Sequence, residues 1–300
     1  MTYHNPVLLE ECLEGLNIRP DGVYADVTYG GGGHSKEILK RLETGRLFGF
    51  DQDADALANK SESENFTFVK QNFRHIKKYL KFYEALPIDG VLADLGVSSH
   101  QFDSAERGFS TRFESNLDMR MDQNTKLTAK VILNTYTAGH LQEIFSNYGE
   151  IINSRTLANA LVTKRNTSPF ETIQDLKEAA APCINKVNAN QYYAQVFQAL
   201  RIQVNDELGA LKDLLIQSAE ILKKGGRLVV ISYHSLEDRL VKNFIAKGKF
   251  EGEIEKDVFG NSVLPIPFKA VVRKPILPTE AEQKTNTRSR SAKLRIAERV

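Results

Sequence analysis

The amino-acid sequence predicts an α/β fold: a parallel sheet with crossover helices, interrupted by an all-helical insert. Three observations carry this. Apolar runs of strand character alternate with helical patterns over roughly the first hundred residues of the 300-residue chain. From Ser104 to Val204 the strand pattern vanishes and helical spacing takes over. A long helix and an apolar strand then restore the alternation. The expected organisation is a core of residues 1–103 and 205–300 carrying a helical insert of residues 104–204, either as a separate lobe or as an elaboration of one domain.

Each element has a local reason. "PVLLEECLEGL" (Pro6–Leu16) sets apolar residues at helical spacing with proline in the first turn. After the turn "RPDG", "VYADVT" (Val23–Thr28) reads as a buried strand and "HSKEILKRL" as a helix. "GRLFGFD" (Gly45–Asp51) is a second strand, "DADALANK" a short helix, and Phe66–Lys70 a third strand. "FRHIKKYLKFY" is helical, and "IDGVLADLG" (Ile88–Gly96) is a fourth strand. "TAKVILNTYTAGHLQEIF", "SRTLANALVTKR" and "NQYYAQVFQALRIQV" supply the helices of the insert. "NDELGALKDLLIQSAEILKKGG" is a long amphipathic helix, with Asn205 or Asp206 to cap its start and Gly225 and Gly226 to end it. "RLVVISYHS" (Arg227–Ser235) is a fifth strand, and "FKAVVRK" (Phe268–Lys274) an edge strand.

Charge is plentiful and nearly balanced, with 40 Lys and Arg against 38 Asp and Glu. No apolar run approaches bilayer length, and the N-terminus lacks the basic region and apolar core of a signal peptide. Cys12 and Cys183 are too few for a disulfide framework or a zinc site. These features point to a reducing, cytoplasmic setting with no metal and no membrane; they set no oligomeric state. The charge is unevenly spread. Lys269–Val300 holds nine Lys or Arg and three Glu, either a solvated surface or a footprint for phosphate backbone.

"ADVTYGGGGHSKEIL" (Ala25–Leu39) places four glycines between a buried strand and a helix start. In an open parallel sheet ligands bind beyond the carboxyl ends of the strands, so this loop is the natural site. A triphosphate loop needs Gly-Lys-Ser/Thr; here Lys36 follows Ser35 and points down the helix. The dinucleotide fingerprint needs a third glycine, and counting from Gly30 and Gly32 that position holds Ser35. S-adenosylmethionine fits better. It has no phosphate, glycines let backbone amides reach its carboxylate, and the helix start near His34 and Ser35 favours the same group. Asp51, about twenty residues on, suits a ribose diol of either cofactor. Asp94 discriminates between them, since it ends the fourth strand where it can face the ligand's amino group or a substrate amine. Its alternative role is to cap the next helix.

The motifs then fall in order: "HNPVLLEE", "DVTYGGGGHS" from Asp26, "FDQD" from Phe50, "NFR" from Asn72 and "DLGVSSHQFD" from Asp94. They continue as "RGFS" from Arg107, "LDMRMD" from Leu117, "FQALRIQVNDEL" from Phe197, "SYHSLEDR" from Ser232 and "RSAKLR" from Arg290. The chain closely resembles the bacterial 16S ribosomal RNA cytosine-N4 methyltransferases of type H, over nearly its whole length. The resemblance implies a Rossmann-like class I methyltransferase sheet with an inserted all-helical domain. It implies methyl transfer from S-adenosylmethionine to N4 of one cytidine in the decoding centre of 16S rRNA, within the small subunit or its precursor. Carried over by position, the cofactor contacts are Gly32, Gly33, His34, Asp51, Phe73, Asp94 and Gln101. Tyr29 and Gly32 depart from the Leu and Ala that relatives often carry there.

Methyl transfer from a sulfonium is an in-line displacement in which the protein positions and polarises. Cytosine N4 is a poor nucleophile, so an acceptor for its hydrogens helps. Asp94 is the first candidate, with Ser98, Ser99 and His234 as alternatives for orientation or proton removal; His234 can instead be structural. Phe109, Tyr233 or Phe73 can receive the unstacked base or belong to the core. The insert is the expected RNA-recognition lobe, where Arg112 and Arg120 contact phosphates or form salt bridges. The rivals are a nicotinamide oxidoreductase, a non-catalytic RNA-binding factor, and a methyltransferase acting on a small amine or a protein.

Overall fold

The computed structural model describes residues 6–184, 188–255, 257, 263 and 265–300. His4 and Asn5, which open the first motif, lie outside the described residues. The strands are β1 Val23–Asp26, β2 Arg46–Asp51, β3 Phe66–Lys70, β4 Ile88–Asp94, β5 Leu222–Ser232, β6 Phe268–Ala270 and β7 Lys293–Arg299. The first helices are α1 Leu9–Leu16, α2 Gly33–Leu39, α3 Ile76–Phe82, α4 Ser99–Asp103, α5 Ala129–Thr135 and α6 Ala138–Asn147. Then come α7 Ser154–Thr167, α8 Ile173–Ala180, α9 Ala189–Asn205, α10 Glu207–Ile221, α11 Ser235–Lys247 and α12 Glu280–Thr285. The chain forms two compact units, Met1–Gly96 with Leu208–Val300, and Val97–Glu207. Among the described residues, no helix is long and apolar enough to cross a membrane.

The first unit holds one sheet in the order β3-β2-β1-β4-β5-β7-β6. Strands β1 to β5 are parallel, and β7 runs antiparallel to both its neighbours. The chain winds outward from β1 to β3, then returns to β4 on the other side of β1, so the order reverses between β1 and β4. This is a Rossmann-like α/β sheet. One face buries Ala25, Phe48, Val91 and Val230 with Leu80 of α3, Leu214 of α10 and Val241 of α11. The other buries Tyr24, Leu47, Leu92 and Val229 with Leu13 of α1 and Ile38 of α2. Burial on both faces is why these strands read as unbroken apolar runs. Each large apolar side chain removed from water contributes about 1.5–3 kcal/mol.

Three boundaries differ from the sequence expectation. α10 ends at Ile221, and β5 starts at Leu222 rather than Arg227. Leu222 pairs with Ile88 and Arg227 with Gly90, so Lys223 to Gly226 bulge opposite the single residue Asp89. Gly225, at φ 80°, shapes that bulge instead of closing a helix, and Asp89 anchors it by accepting from Lys223 Nζ at 3.0 Å and Val23 N at 2.8 Å. Asn205 ends α9; it accepts from Met121 N at 2.7 Å and donates to the Met119 and Arg201 carbonyls, and Asp206 at φ 48° makes the turn before α10. Finally, β6 stops at Ala270, and the basic tail holds a further strand, β7, whose apolar residues are punctuated by Lys293, Arg295 and Arg299.

The second unit is helical. Thr128, Thr137 and Thr172 cap α5, α6 and α8, each accepting from the N–H three residues on. Phe145, Leu157, Phe170 and Leu200 are fully buried in its core. Among the described residues its only β-pairing is the isolated bridge Asn116–Thr172.

Candidate active site

The glycine loop leaves β1 across the point where the sheet order reverses. Val27 N donates to Leu92 O on one side, and Tyr29 N to Phe50 O on the other, both at 2.9 Å. Thr28 Oγ1 accepts from Asp94 N at 2.6 Å. Gly30 N donates to Asp51 Oδ2 at 2.8 Å, and the Asn59 side chain holds Gly30 O at 3.1 Å. Gly32 sits at φ 74°, and a Cβ there would lie 2.8 Å from the Tyr29 hydroxyl. A Cβ on Gly33 would lie 2.6 Å from Pro6 Cγ. Both positions therefore exclude a side chain, for different reasons.

Three carboxylates end three adjacent strands on this edge. Asp26 of β1 is buried, accepting from Ser35 Oγ at 2.6 Å and Thr28 N at 3.2 Å. Burial raises its pKa, against the His34 charge and the Ser35 hydrogen bond. Asp51 of β2 accepts from Gly30 N and, through Oδ1, from Asp53 N at 2.8 Å. Burial pushes its pKa up to about 6, with those backbone donors opposing. Asp94 of β4 accepts from the Tyr233 hydroxyl at 2.7 Å through Oδ1, and its Oδ2 lies 3.9 Å from His34 Nδ1. Burial also raises the Asp94 pKa. His34 Nε2 lies 3.1 Å from Val7 O, which can only accept, so Nε2 carries the proton. Among the described residues no Lys or Arg pairs with any of these three acids. The edge therefore suits a ligand that brings positive charge and hydroxyl donors.

Tyr233 and His234 follow β5 at the same edge. The Tyr233 hydroxyl is bound to Asp94, so it is the acid's partner, a role beside the two the sequence offers for the ring, a surface for a base or a place in the core. His234 is the N-cap of α11. Its Nδ1 accepts from Glu237 N at 3.4 Å, and Tyr233 N donates to Glu237 Oε2 at 2.9 Å. His234 Nε2 is buried 3.1 Å from Glu237 Oε1, without hydrogen-bond alignment. The His-x-x-Glu spacing carried this signal, since it mimics a capping box.

The other sequence candidates divide between the units. Phe73 opens a 3-10 turn beyond β3 and packs partly buried against the first unit's core. Ser98, Ser99 and Gln101 lie in the second unit at the start of α4. There Ser98 Oγ accepts from Gln101 N at 3.2 Å and Gln101 Oε1 accepts from Ser98 N at 3.0 Å, a reciprocal cap. Phe109 is buried in the helical core, with the Arg107 guanidinium 5.9 Å from its ring centre. Arg120 forms a two-pronged pair with Asp118 at 2.8 and 2.7 Å and also donates to the Gln123 and Thr125 carbonyls. Burial opposes it, but Arg120 holds the Asp118 carboxyl below its ordinary range. Arg120 is thus a salt-bridge residue, inside its own unit. Arg112 lies over the Phe102 ring at 5.7 Å.

Against known proteins, the model of the MraW methylase family matches residues 1–300. The chain belongs to the MraW methylase family. "Ribosomal RNA small subunit methyltransferase H" of Amoebophilus asiaticus is 57% identical over 301 residues, covering 100% of this chain and 96% of that protein. The protein of the same name from Parabacteroides distasonis is 56% identical over 300 residues, covering 99% and 98%. That from Cytophaga hutchinsonii is 55% identical over 299 residues, covering 99% of each. MraW methylase family membership thus spans the glycine loop, the carboxyl edge and the helical unit alike, and agrees with the ten motifs found in the sequence.

Proposed function

We propose that the chain transfers a methyl group from S-adenosylmethionine to the N4 amino group of a cytidine in the decoding centre of 16S rRNA. It acts in the cytoplasm, on the small ribosomal subunit or its precursor. The observation that carries this reading is the family match over the whole chain, whose relatives bear the small-subunit rRNA methyltransferase name. The carboxyl edge supports the cofactor. Three neighbouring acids without a paired Lys or Arg favour a cationic ligand and oppose the pyrophosphate of a nicotinamide dinucleotide.

Bound there, S-adenosylmethionine supplies a methyl group on a sulfonium, which leaves as a neutral thioether and needs no acid. Gly32 and Gly33 keep the loop backbone free of side chains beside it, and His34 stands between that loop and Asp94, its Nδ1 3.9 Å from Asp94 Oδ2. Asp51 accepts from the ribose hydroxyls, and Phe73 offers its ring to the adenine. Gln101 is a further cofactor contact by family position. Asp94 keeps Oδ2 available while Oδ1 is held by Tyr233, so Oδ2 can accept from the cofactor ammonium, from an N4 hydrogen, or from each in turn. As the N4–carbon bond forms and the sulfur–carbon bond breaks, N4 becomes cationic and must lose a proton. Burial makes Asp94 a stronger base than an exposed carboxylate, which suits that transfer. Ser98, Ser99 and His234 remain candidates for orienting the base; the cap contacts of Ser98 and His234 make positioning their better role.

The test incubates the chain with labelled S-adenosylmethionine and undermodified small subunits, followed by nucleoside mass analysis. N4-methylcytidine is expected. Label in protein, in another nucleoside or nowhere defeats the reading.

A further inference from the structure

The first unit has a second concavity, away from the acids. A cleft of about 410 Å³ lies on the α11 side of β6 and β7. Ile245, Ile266 and Val272 contribute to an apolar lining; Lys242, Lys269, Arg273 and Arg295 add four cations, and no Asp or Glu lines it. Arg295 is neutralised by Asp238 at 2.6 and 3.2 Å. Glu298, opposite Lys269 across the β6–β7 ladder, is taken by Arg227 at 2.9 Å. Among the described residues, Lys242, Lys269 and Arg273 have no acidic partner. This explains part of the basic tail. Arg295, Lys293 and Arg299 are spent on the fold, through Asp238 and the Ala219 and Pro267 carbonyls, whereas Lys269 and Arg273 are not.

The register places this cleft relative to the reaction. Asp94 pairs with Ile231, Ile231 with Leu294, and Leu294 exchanges hydrogen bonds with Ile276 at 2.9 Å. The segment bearing Val272 and Arg273 thus climbs from β6 to the level of Asp94 in the sheet. Ile276 lies three strands away, about 14 Å at the usual spacing of neighbouring strands, whereas Lys269, through Glu298 and Arg227, stands at the level of Gly90, four residues down β4 from Asp94. We propose that the cleft is a second contact site for substrate RNA, holding an unpaired nucleotide away from the target cytidine. Lys242, Lys269 and Arg273 neutralise its phosphates, and the apolar lining takes a base face. The inference rests on the methyl-transfer reading, since the substrate's own backbone is the polyanion brought to this edge. Free cations beside apolar surface match a nucleotide better than a solvated phosphate alone.

The test uses the full chain with Lys242→Glu, Lys269→Glu and Arg273→Glu together, and a second variant with Gln at the same positions. Methylation of undermodified small subunits is measured over a salt series, beside S-adenosylmethionine binding and melting temperature. The KM for subunits should rise about tenfold or more in the Glu variant and less in the Gln variant, with kcat and cofactor affinity unchanged. The salt slope of log affinity should become shallower by about two, from three phosphates at about 0.7 each. Unchanged KM and slope in both folded variants overturn the proposal while leaving methyl transfer intact. Loss of binding to a polyglutamate probe with normal subunit KM also overturns it, in favour of an acidic peptide. A wild-type chain that methylates no subunits overturns the functional reading itself, before any variant is compared.

Discussion

Tyr233→Phe keeps the ring and deletes one O–H, the donor that holds Asp94 Oδ1 at 2.7 Å. Burial and the nearby Asp94 charge push the Tyr233 pKa well above its ordinary value, so the hydroxyl remains a donor at any working pH. A hydrogen bond to a charged acceptor contributes about 1.5–3 kcal/mol. The Asp94 side chain is 24% exposed, so water recovers part of the loss and the lower end of that range applies. About 1.4 kcal/mol is a tenfold loss of kcat/KM. The sign follows from burial: it already raises the Asp94 pKa, and losing a donor to the carboxylate raises it further. The ionised acid is the active form, so the acidic limb of the rate profile should move to higher pH. Raising the pH should then restore part of the rate. Initial rates of labelled methyl transfer from about pH 5.5 to 9 read this directly. A profile that superimposes on wild type, with unchanged cofactor affinity, refutes the coupling of Tyr233 to Asp94. Asp94→Asn separates the acid's two roles. If it mainly binds the cofactor ammonium, saturating cofactor rescues the rate; if it polarises N4, turnover falls about a hundredfold even at saturation.

Two further outcomes follow from the same edge. Asp51 titrates at about 6 in the folded chain against 3.8 ordinarily, so between those values the folded state binds protons that the unfolded state has released. Stability of the free protein should therefore fall as pH rises through that window, by on the order of 1–3 kcal/mol, and Asp51→Asn should flatten the slope in thermal melts while weakening cofactor binding by about 1–3 kcal/mol in calorimetry. A slope unchanged in the variant would remove Asp51 as its source. Gly32→Ala should destabilise the loop through both its left-handed backbone and the Tyr29 hydroxyl 2.8 Å from the new Cβ. Because the Tyr29 ring carbon Cζ also lies 2.9 Å from the new Cβ, adding Tyr29→Leu rather than Tyr29→Phe should relieve the steric part while leaving about 1–2 kcal/mol of backbone cost, and strict additivity in that cycle would show the two positions uncoupled.

The Tyr29–Gly32 contact shows where reading the chain alone stops. Both residues were visible as departures from the related pattern, yet nothing in their spacing says that one hydroxyl occupies the place of the other's Cβ. The same holds for Tyr233 and Asp94, which are 139 residues apart in the chain and share a hydrogen bond. Gln101 and Ser98 were legible as site candidates, but their mutual cap appears only once α4 is folded. Asn205 and Gly225 illustrate the opposite failure. Each has the local chemistry of a helix boundary, and each is claimed by a longer-range partner, the Met119–Met121 loop in one case and the Asp89 ladder in the other.

Local order was decided along the chain. Strands buried on both faces must be continuously apolar, helices must repeat their apolar residues at helical spacing, and a backbone that a ligand approaches closely must be glycine. Those constraints act over a few residues, so β1 to β4, the helical insert and the loop after β1 were all legible. Which strands lie side by side was decided elsewhere. The antiparallel β7 between β5 and β6, the gathering of Asp26, Asp51 and Asp94 on one edge, and the balance of paired and unpaired cations in the tail depend on residues brought together by the sheet. Their energies come from burial and charge contacts between distant segments, which no local pattern encodes.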